Sequence, residues 1–139
     1  MDPTVVQRLR GVPIFAALAD EALGRVAAVV TEFEAPAGHV LTQPGQEGSG
    51  MFVLVEGTVT VELPGGATVA LGPGEFFGEL SVLDGEPRTA AVISDEPTSC
   101  LAIPSWKLDA LLESQPRVTI ALLRGVARRL REVTEEHRH

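Results

Sequence analysis

Between Arg25 and Lys107 the chain holds one lysine or arginine, Arg88, among eleven aspartates and glutamates. Arg88 lies near the end of the run Phe77-Gly78-Glu79-Leu80-Ser81-Val82-Leu83-Asp84-Gly85-Glu86-Pro87-Arg88-Thr89-Ala90. A solitary cation in so acidic a stretch suits one buried or half-buried anion. Its planar fork can grip two oxygens of a phosphate together, which an ammonium cannot do. Gly78 has no Cβ, so the backbone there can come close to a ligand. Leu80 to Leu83 can form one helical turn, whose first N–H groups lack intrahelical partners and can face an anion. The Ser81 hydroxyl adds a donor. Glu79, when ionised, only accepts hydrogen bonds and suits a sugar hydroxyl on the same ligand.

Other chemistries find little support. Cys100 is the one cysteine, which excludes an internal disulfide and any four-cysteine zinc or iron–sulfur site. In a predicted strand it reads as a small core hydrophobe. His39 follows a turn, and His137 and His139 fall at the chain's end, so no metal site and no haem ligand are expected. No Ser-His or Cys-His pair is close in sequence, and Asp84, Glu86 and Glu79 have no evident electrophile. A catalytic role is therefore not expected. Trp106 is expected to anchor a short helix to the strand block.

The elements that must position this run follow from periodicity. Asp2 can cap a first helix with Pro3 at its start, turning Val5, Val6 and Leu9 inward. Ile14, Phe15 and Leu18 form an apolar turn, and Leu23, Val26, Ala27 and Val30 repeat at helical spacing. From Thr31 short strands take over: 31–35, 40–41, 51–55, 58–63, 67–71, 89–93 and 98–103, separated by turns rich in glycine and proline. Met51 to Val55 is continuously apolar, so it is expected to be buried on both faces. Ser105 can cap a helix through Glu113, and Pro116 opens a longer one. In that helix Leu123, Val126, Leu130 and Val133 are spaced 3, 4, 3 as in a heptad seam. The seam either packs on its own barrel or pairs two chains in parallel. Strands at this spacing with helices at both ends predict an α+β fold around a compact β-barrel.

At 139 residues the length predicts one domain over 1–139: helices to 30, strands 31–103 with the 77–90 run inside them, helices 104–139. Formal charge is −8. Residues 1–115 carry five basic and sixteen acidic side chains, and residues 116–139 six basic and three acidic. An acidic body with a basic last helix argues against direct nucleic-acid binding, and leaves that helix as a solvated face or a docking surface. The start is not basic and lacks an apolar leader. No stretch of about 20 apolar residues is free of charges. A soluble cytoplasmic protein without a membrane role is expected.

The run from Phe77 to Ala90 resembles the phosphate-binding cassette of the cyclic nucleotide-binding domain family. Pro36-Ala37-Gly38, Gly45 and Gly57 stand where that family turns its barrel. The resemblance implies an eight-stranded β-roll with N-terminal helices and two C-terminal helices. It implies that Arg88 takes the phosphate of a cyclic nucleotide and Glu79 the ribose. Phe77, Gly78, Leu80, Ser81, Thr89 and Ala90 would supply neighbouring contacts. Thr89 suits the guanine amino group of cyclic GMP, yet bacterial members with Ser or Thr here also take cyclic AMP, and cyclic AMP is the expected ligand. The last helix is similar to the dimer helix of the catabolite activator branch. There a Thr-Ser pair meets the adenine; here the positions read Val133-Thr134. Arg124 or Arg128 stacking on the base is the other option for a lid. A homodimer through 116–139 and an effector domain or protein are the partners implied. The sequence ends at His139 without room for that branch's helix-turn-helix domain, so direct operator binding is not expected. A regulatory module that moves its C-terminal helix on binding is the leading function; a scaffold that dimerises without ligand is the alternative.

Overall fold

The computed structural model describes residues 3–137. Asp2, the expected cap, and the side chain of Val133 lie outside what is described. Two helices, α1 (Pro3–Arg10) and α2 (Asp20–Ala27), precede the strands. Then come β1 (Thr31–Ala35), β2 (Val40–Thr42), β3 (Gly50–Glu56), β4 (Val59–Glu62), β5 (Thr68–Leu71) and β6 (Phe76–Phe77). A short helix, α3 (Glu79–Asp84), leads through a loop to β7 (Ala91–Ser94) and β8 (Thr98–Pro104). Two helices close the order, α4 (Ser105–Ser114) and α5 (Pro116–His137).

The eight strands form two antiparallel four-stranded sheets, ordered β1-β8-β3-β6 and β2-β7-β4-β5. Together they make a β-roll flanked by helices. The inner strands of the first sheet, β8 and β3, are buried on both faces, which explains the unbroken apolar run in β3, while the edge strand β1 is largely exposed. Leu54 and Cys100 turn into the roll, against Val59, Leu71, Phe77 and Val92 of the other strands. Met51, Val53, Leu101 and Ile103 turn outward, under Leu9, Phe15, Leu23, Leu108, Val118 and Leu122 of the helices and their linking turn. The alternation runs through Val55, and the pairing with β8 shifts register by one residue between Leu54 and Glu56. Burial raises the Cys100 thiol to about 11, so it stays a neutral core group.

Several local expectations are corrected. Ser105 is the first residue of α4 and makes no side-chain cap; Pro104 precedes the helix instead. Trp106 does not anchor the helix: it is 68% exposed, with the Lys107 ammonium 4.5 Å from the ring centroid. Phe76–Phe77 is an additional strand, and the last hairpin begins at Ala91 rather than Thr89. Two residues are too few to carry a period, which hid β6 from the pattern. The heptad seam is split: Val126 packs against the core beneath the helices, while its neighbours in the seam do not. Val118 and Leu122 are the buried positions of α5, while Leu123 and Leu130 are 59% and 66% exposed. The helix is turned by its contacts with the body, so its exposed apolar stripe reads Ile120, Leu123, Ala127, Leu130.

Leu101 is fully buried in β8, the strand between β1 and β3. Leu101→Ala is expected to cost about 2–5 kcal/mol, read from the urea midpoint, because both neighbouring strands hold the cavity open.

Candidate functional site

The cassette is built from a strand end, one glycine and one turn of helix. β6 pairs with β3 and delivers Phe77 into the roll. Gly78 then takes φ +85°, a left-handed conformation, and starts α3. A Cβ on Gly78 would sit 2.5 Å from Nη1 of Arg88, so glycine is required by both backbone and space. Glu79 and Ser81 face inward from α3 and are buried, while Leu80 and Leu83 face out.

Arg88 reaches the same place from the other side of the loop. Its backbone is clamped to the turn after β2: its N–H donates to the Gln46 carbonyl at 2.7 Å, and its own carbonyl accepts from the Gly45 N–H at 2.8 Å. Its side chain is 7% exposed. Nη1 donates to the Gly78 carbonyl and Nη2 to the Gly50 carbonyl, each at 2.8 Å. The guanidinium carbon lies 6.0 Å from the ring centroid of Phe52, which stacks on Phe77 at 5.0 Å. Two of five N–H donors are thus used to hold the fork, leaving three for a ligand. Burial lowers the Arg88 pKa from its ordinary value, and the Glu79 carboxylate opposes that shift.

All eight residues singled out from the cassette, Phe77, Gly78, Glu79, Leu80, Ser81, Arg88, Thr89 and Ala90, line one cavity of about 100 Å³. Its remaining wall is mostly apolar: Val61 and Leu63 from β4 and its turn, Val69 and Leu71 from β5, and Val92. Thr42 lines it too, its hydroxyl donating to the Ala90 carbonyl at 3.1 Å. Thr89 is exposed and stands ahead of β7.

The residues expected to cover the base are placed elsewhere. Arg124 and Arg128 line a neighbouring cleft and not this cavity. Thr134 is exposed, and its hydroxyl donates to the Leu130 carbonyl of its own helix at 2.8 Å. The α5 residue that enters the cavity is Arg129, which the spacing did not single out. Its Nη1 pairs with Oε1 of Glu79 at 2.7 Å, and its Nη2 donates to the Phe76 carbonyl at 2.5 Å. Its guanidinium carbon lies 4.8 Å from the ring centroid of Phe76. Gly125 makes the approach possible, since a Cβ there would stand 2.7 Å from the Phe76 ring. The available signal was Gly125 one turn ahead of Arg129 on a single helix face.

Glu79 is 3% exposed and its pKa is raised by burial. Arg129 and the backbone N–H groups of Glu79 and Leu80 pull it back down in part. The site therefore holds two buried ionisable groups of opposite sign, one reaching toward a carbonyl pair and one toward α5. Among the described residues no group of three or more His, Cys, Asp or Glu could hold a metal ion.

The chain belongs to the cyclic nucleotide-binding domain family, whose sequence profile matches residues 32–115. Within that family its likeness runs to the catabolite activator type of sensor domain. The crystal structure of the Thermus thermophilus catabolite activator protein superposes with a TM-score of 0.77 at 32% identity, over 89% of this chain and 61% of that one. The cyclic AMP receptor protein of Thermus thermophilus is 34% identical over 133 residues, which is 92% of this chain and 62% of that protein. A cyclic nucleotide-gated potassium channel of Mesorhizobium japonicum is 37% identical over 112 residues, 81% of this chain and 31% of the channel. The chain thus spans about a third of the channel and under two thirds of the receptor protein.

A raised carboxyl pKa favours the fold while the group is protonated, and that contribution is lost as the pH rises through the folded-state value. Glu79→Gln cannot ionise, so relative to wild type it is expected to gain stability as the pH rises from the ordinary carboxylate range through the raised folded-state value. Urea denaturation across a series of pH values from the acid side upward checks it; a difference independent of pH would mean that Arg129 fully offsets the burial of Glu79.

Proposed function

We propose that this domain is a regulatory module that captures cyclic AMP and passes the event to α5. The observation carrying the proposal is the buried Arg88 fork beside buried Glu79, with eight residues of the cassette run around one cavity. A cyclic phosphate has one negative charge on two exocyclic oxygens, matching the three free donors of Arg88. Glu79 accepts from the ribose hydroxyl. The purine would lie along Val61, Leu63, Val69 and Leu71, a wall of aliphatic side chains. That wall and the likeness to a cyclic AMP receptor protein favour adenine; Thr89 is the one side chain here that suits guanine, which keeps cyclic GMP as the rival ligand.

Transmission rests on Arg129. Ligand sites for small molecules usually enclose roughly 300–1,000 Å³, and the cassette cavity holds about 100 Å³. Arg129 occupies the Glu79 carboxylate that the ribose needs. Nucleotide capture and the present seat of α5 therefore meet at one carboxylate. The ligand draws in α3, α4 repacks behind it, and α5 shifts to cover the base. Such a switch requires the ligand to bind the two helix positions with different affinity.

The exposed stripe Ile120, Leu123, Ala127 and Leu130 repeats at 3, 4, 3 and supports a homodimer through α5. The same stripe is what favours the second reading, a dimerisation scaffold without ligand. In the regulatory reading the span 1–139 is one sensor domain that acts on an effector domain or protein in the cytoplasm. No described helix is long and apolar enough to cross a membrane.

Titration calorimetry with cyclic AMP and cyclic GMP tests the ligand. Arg88→Ala is expected to lose about 2–5 kcal/mol of binding, and cyclic AMP is expected to bind the wild type more tightly. Heat from neither nucleotide leaves the scaffold reading. Hydrogen exchange tests transmission: protection over residues 116–137 is expected to change with cyclic AMP in the wild type and to stop responding in Arg129→Gln. Equal responses in both proteins would remove Arg129 as the link.

A further inference from the structure

Next to the cassette cavity lies a larger cleft of about 340 Å³. It falls within the roughly 300–1,000 Å³ of ordinary small-molecule sites. One wall is α5 from Ala121 to Glu132; the other is β5 and the turn into β6, with Pro13 and Ile14 closing one end. Ile14, Leu71 and Phe76 are buried and give it an apolar floor.

Arg124 and Arg128 stand one helical turn apart along this wall, and both are exposed. Like charges at that spacing repel. Neither makes an ion pair among the described residues, where the salt bridges belong to Arg8, Arg10, Arg25 and Arg129. Two carboxylates also line the cleft. Glu75 accepts from the Gly72 N–H at 3.0 Å, which holds it in its own turn. Glu132 follows Arg128 by one turn, is exposed, and makes no ion pair among the described residues. Arg129, the third guanidinium, is engaged by Glu79 and the Phe76 carbonyl.

We propose that this cleft binds a small amphipathic organic anion. Its carboxylate sits between Arg124 and Arg128 and relieves their repulsion, and its apolar body lies on Ile14, Leu71 and Phe76. The apolar floor disfavours a sugar, the unpaired guanidinium pair a cation, and the size a bare inorganic ion. The site does not depend on the nucleotide reading. It does share Val69, Leu71 and Arg129 with the cassette cavity, so an occupant would bear on the helix that the cassette grips.

Octanoate is the probe, with octylammonium as the control that has the same tail and the opposite charge. Binding is measured by thermal shift and by amide chemical shifts on the whole chain. Octanoate is expected to stabilise the protein and move amides of residues 69–76 and 121–132, while octylammonium does neither. The double substitution Arg124→Gln and Arg128→Gln, both at exposed positions, removes both charged contacts and is expected to weaken octanoate by about tenfold or more. No binding, equal effects of the two probes, equal affinity in the double variant, or amide shifts centred on 78–90 instead would each overturn the site.

Discussion

A guanidinium held out of water governs the arrangement. Arg88 is nearly fully buried, and a buried charge is costly unless it is paired and hydrogen-bonded. The carbonyls of Gly78 and Gly50 take two of its protons, and Phe52 lies beneath it. Each partner in turn constrains the chain. Gly78 must be left-handed and free of a Cβ for the Arg88 arm to pass. Gly50 must start β3 close against β8, where a Cβ would come within 2.3 Å of the Ile103 carbonyl. The loop from Asp84 to Arg88 must return to Gly45 and Gln46. The roll and the cassette are therefore one construction, and the fork is aimed before any ligand meets it.

Glu79 shows how this site connects to the rest of the molecule. Its burial makes the ionised carboxylate unfavourable, and Arg129 answers only part of that. The acceptor that suits a ribose hydroxyl is also the acceptor on which α5 is seated. Phe76 underlies the same contact, with Arg129 over its ring and Gly125 against its edge. A helix carrying the chain's positive charge is thereby tied to the most buried carboxylate of an acidic body.

Much of this was legible in the residues. Solitary Arg88, the Gly-Glu-Leu-Ser turn and the alternating strands locate the cassette, because local spacing and charge determine them. The apolar run in β3 announced a strand covered on both faces. The short strand β6 escaped notice, since Phe76 and Phe77 alone show no alternation. Trp106 was misplaced because a large apolar side chain argues for burial unless one knows which face of α4 meets the barrel. The lid residues went astray for a related reason. Helical spacing says which residues share a face, but not which face is turned toward the cavity.

The amino-acid order by itself determined the strand succession, the glycine turns and the presence of one cation and one inward carboxylate on the same short run. These are properties of neighbours within a few positions, set by backbone sterics and side-chain polarity. Only the tertiary structure decided the rotation of α5: that Val118 and Leu122 go inside, that Leu123 and Leu130 do not, and that Arg129 rather than Arg124 or Arg128 meets Glu79. That rotation depends on how closely Gly125 packs on Phe76, a contact between residues 49 positions apart that no local pattern encodes.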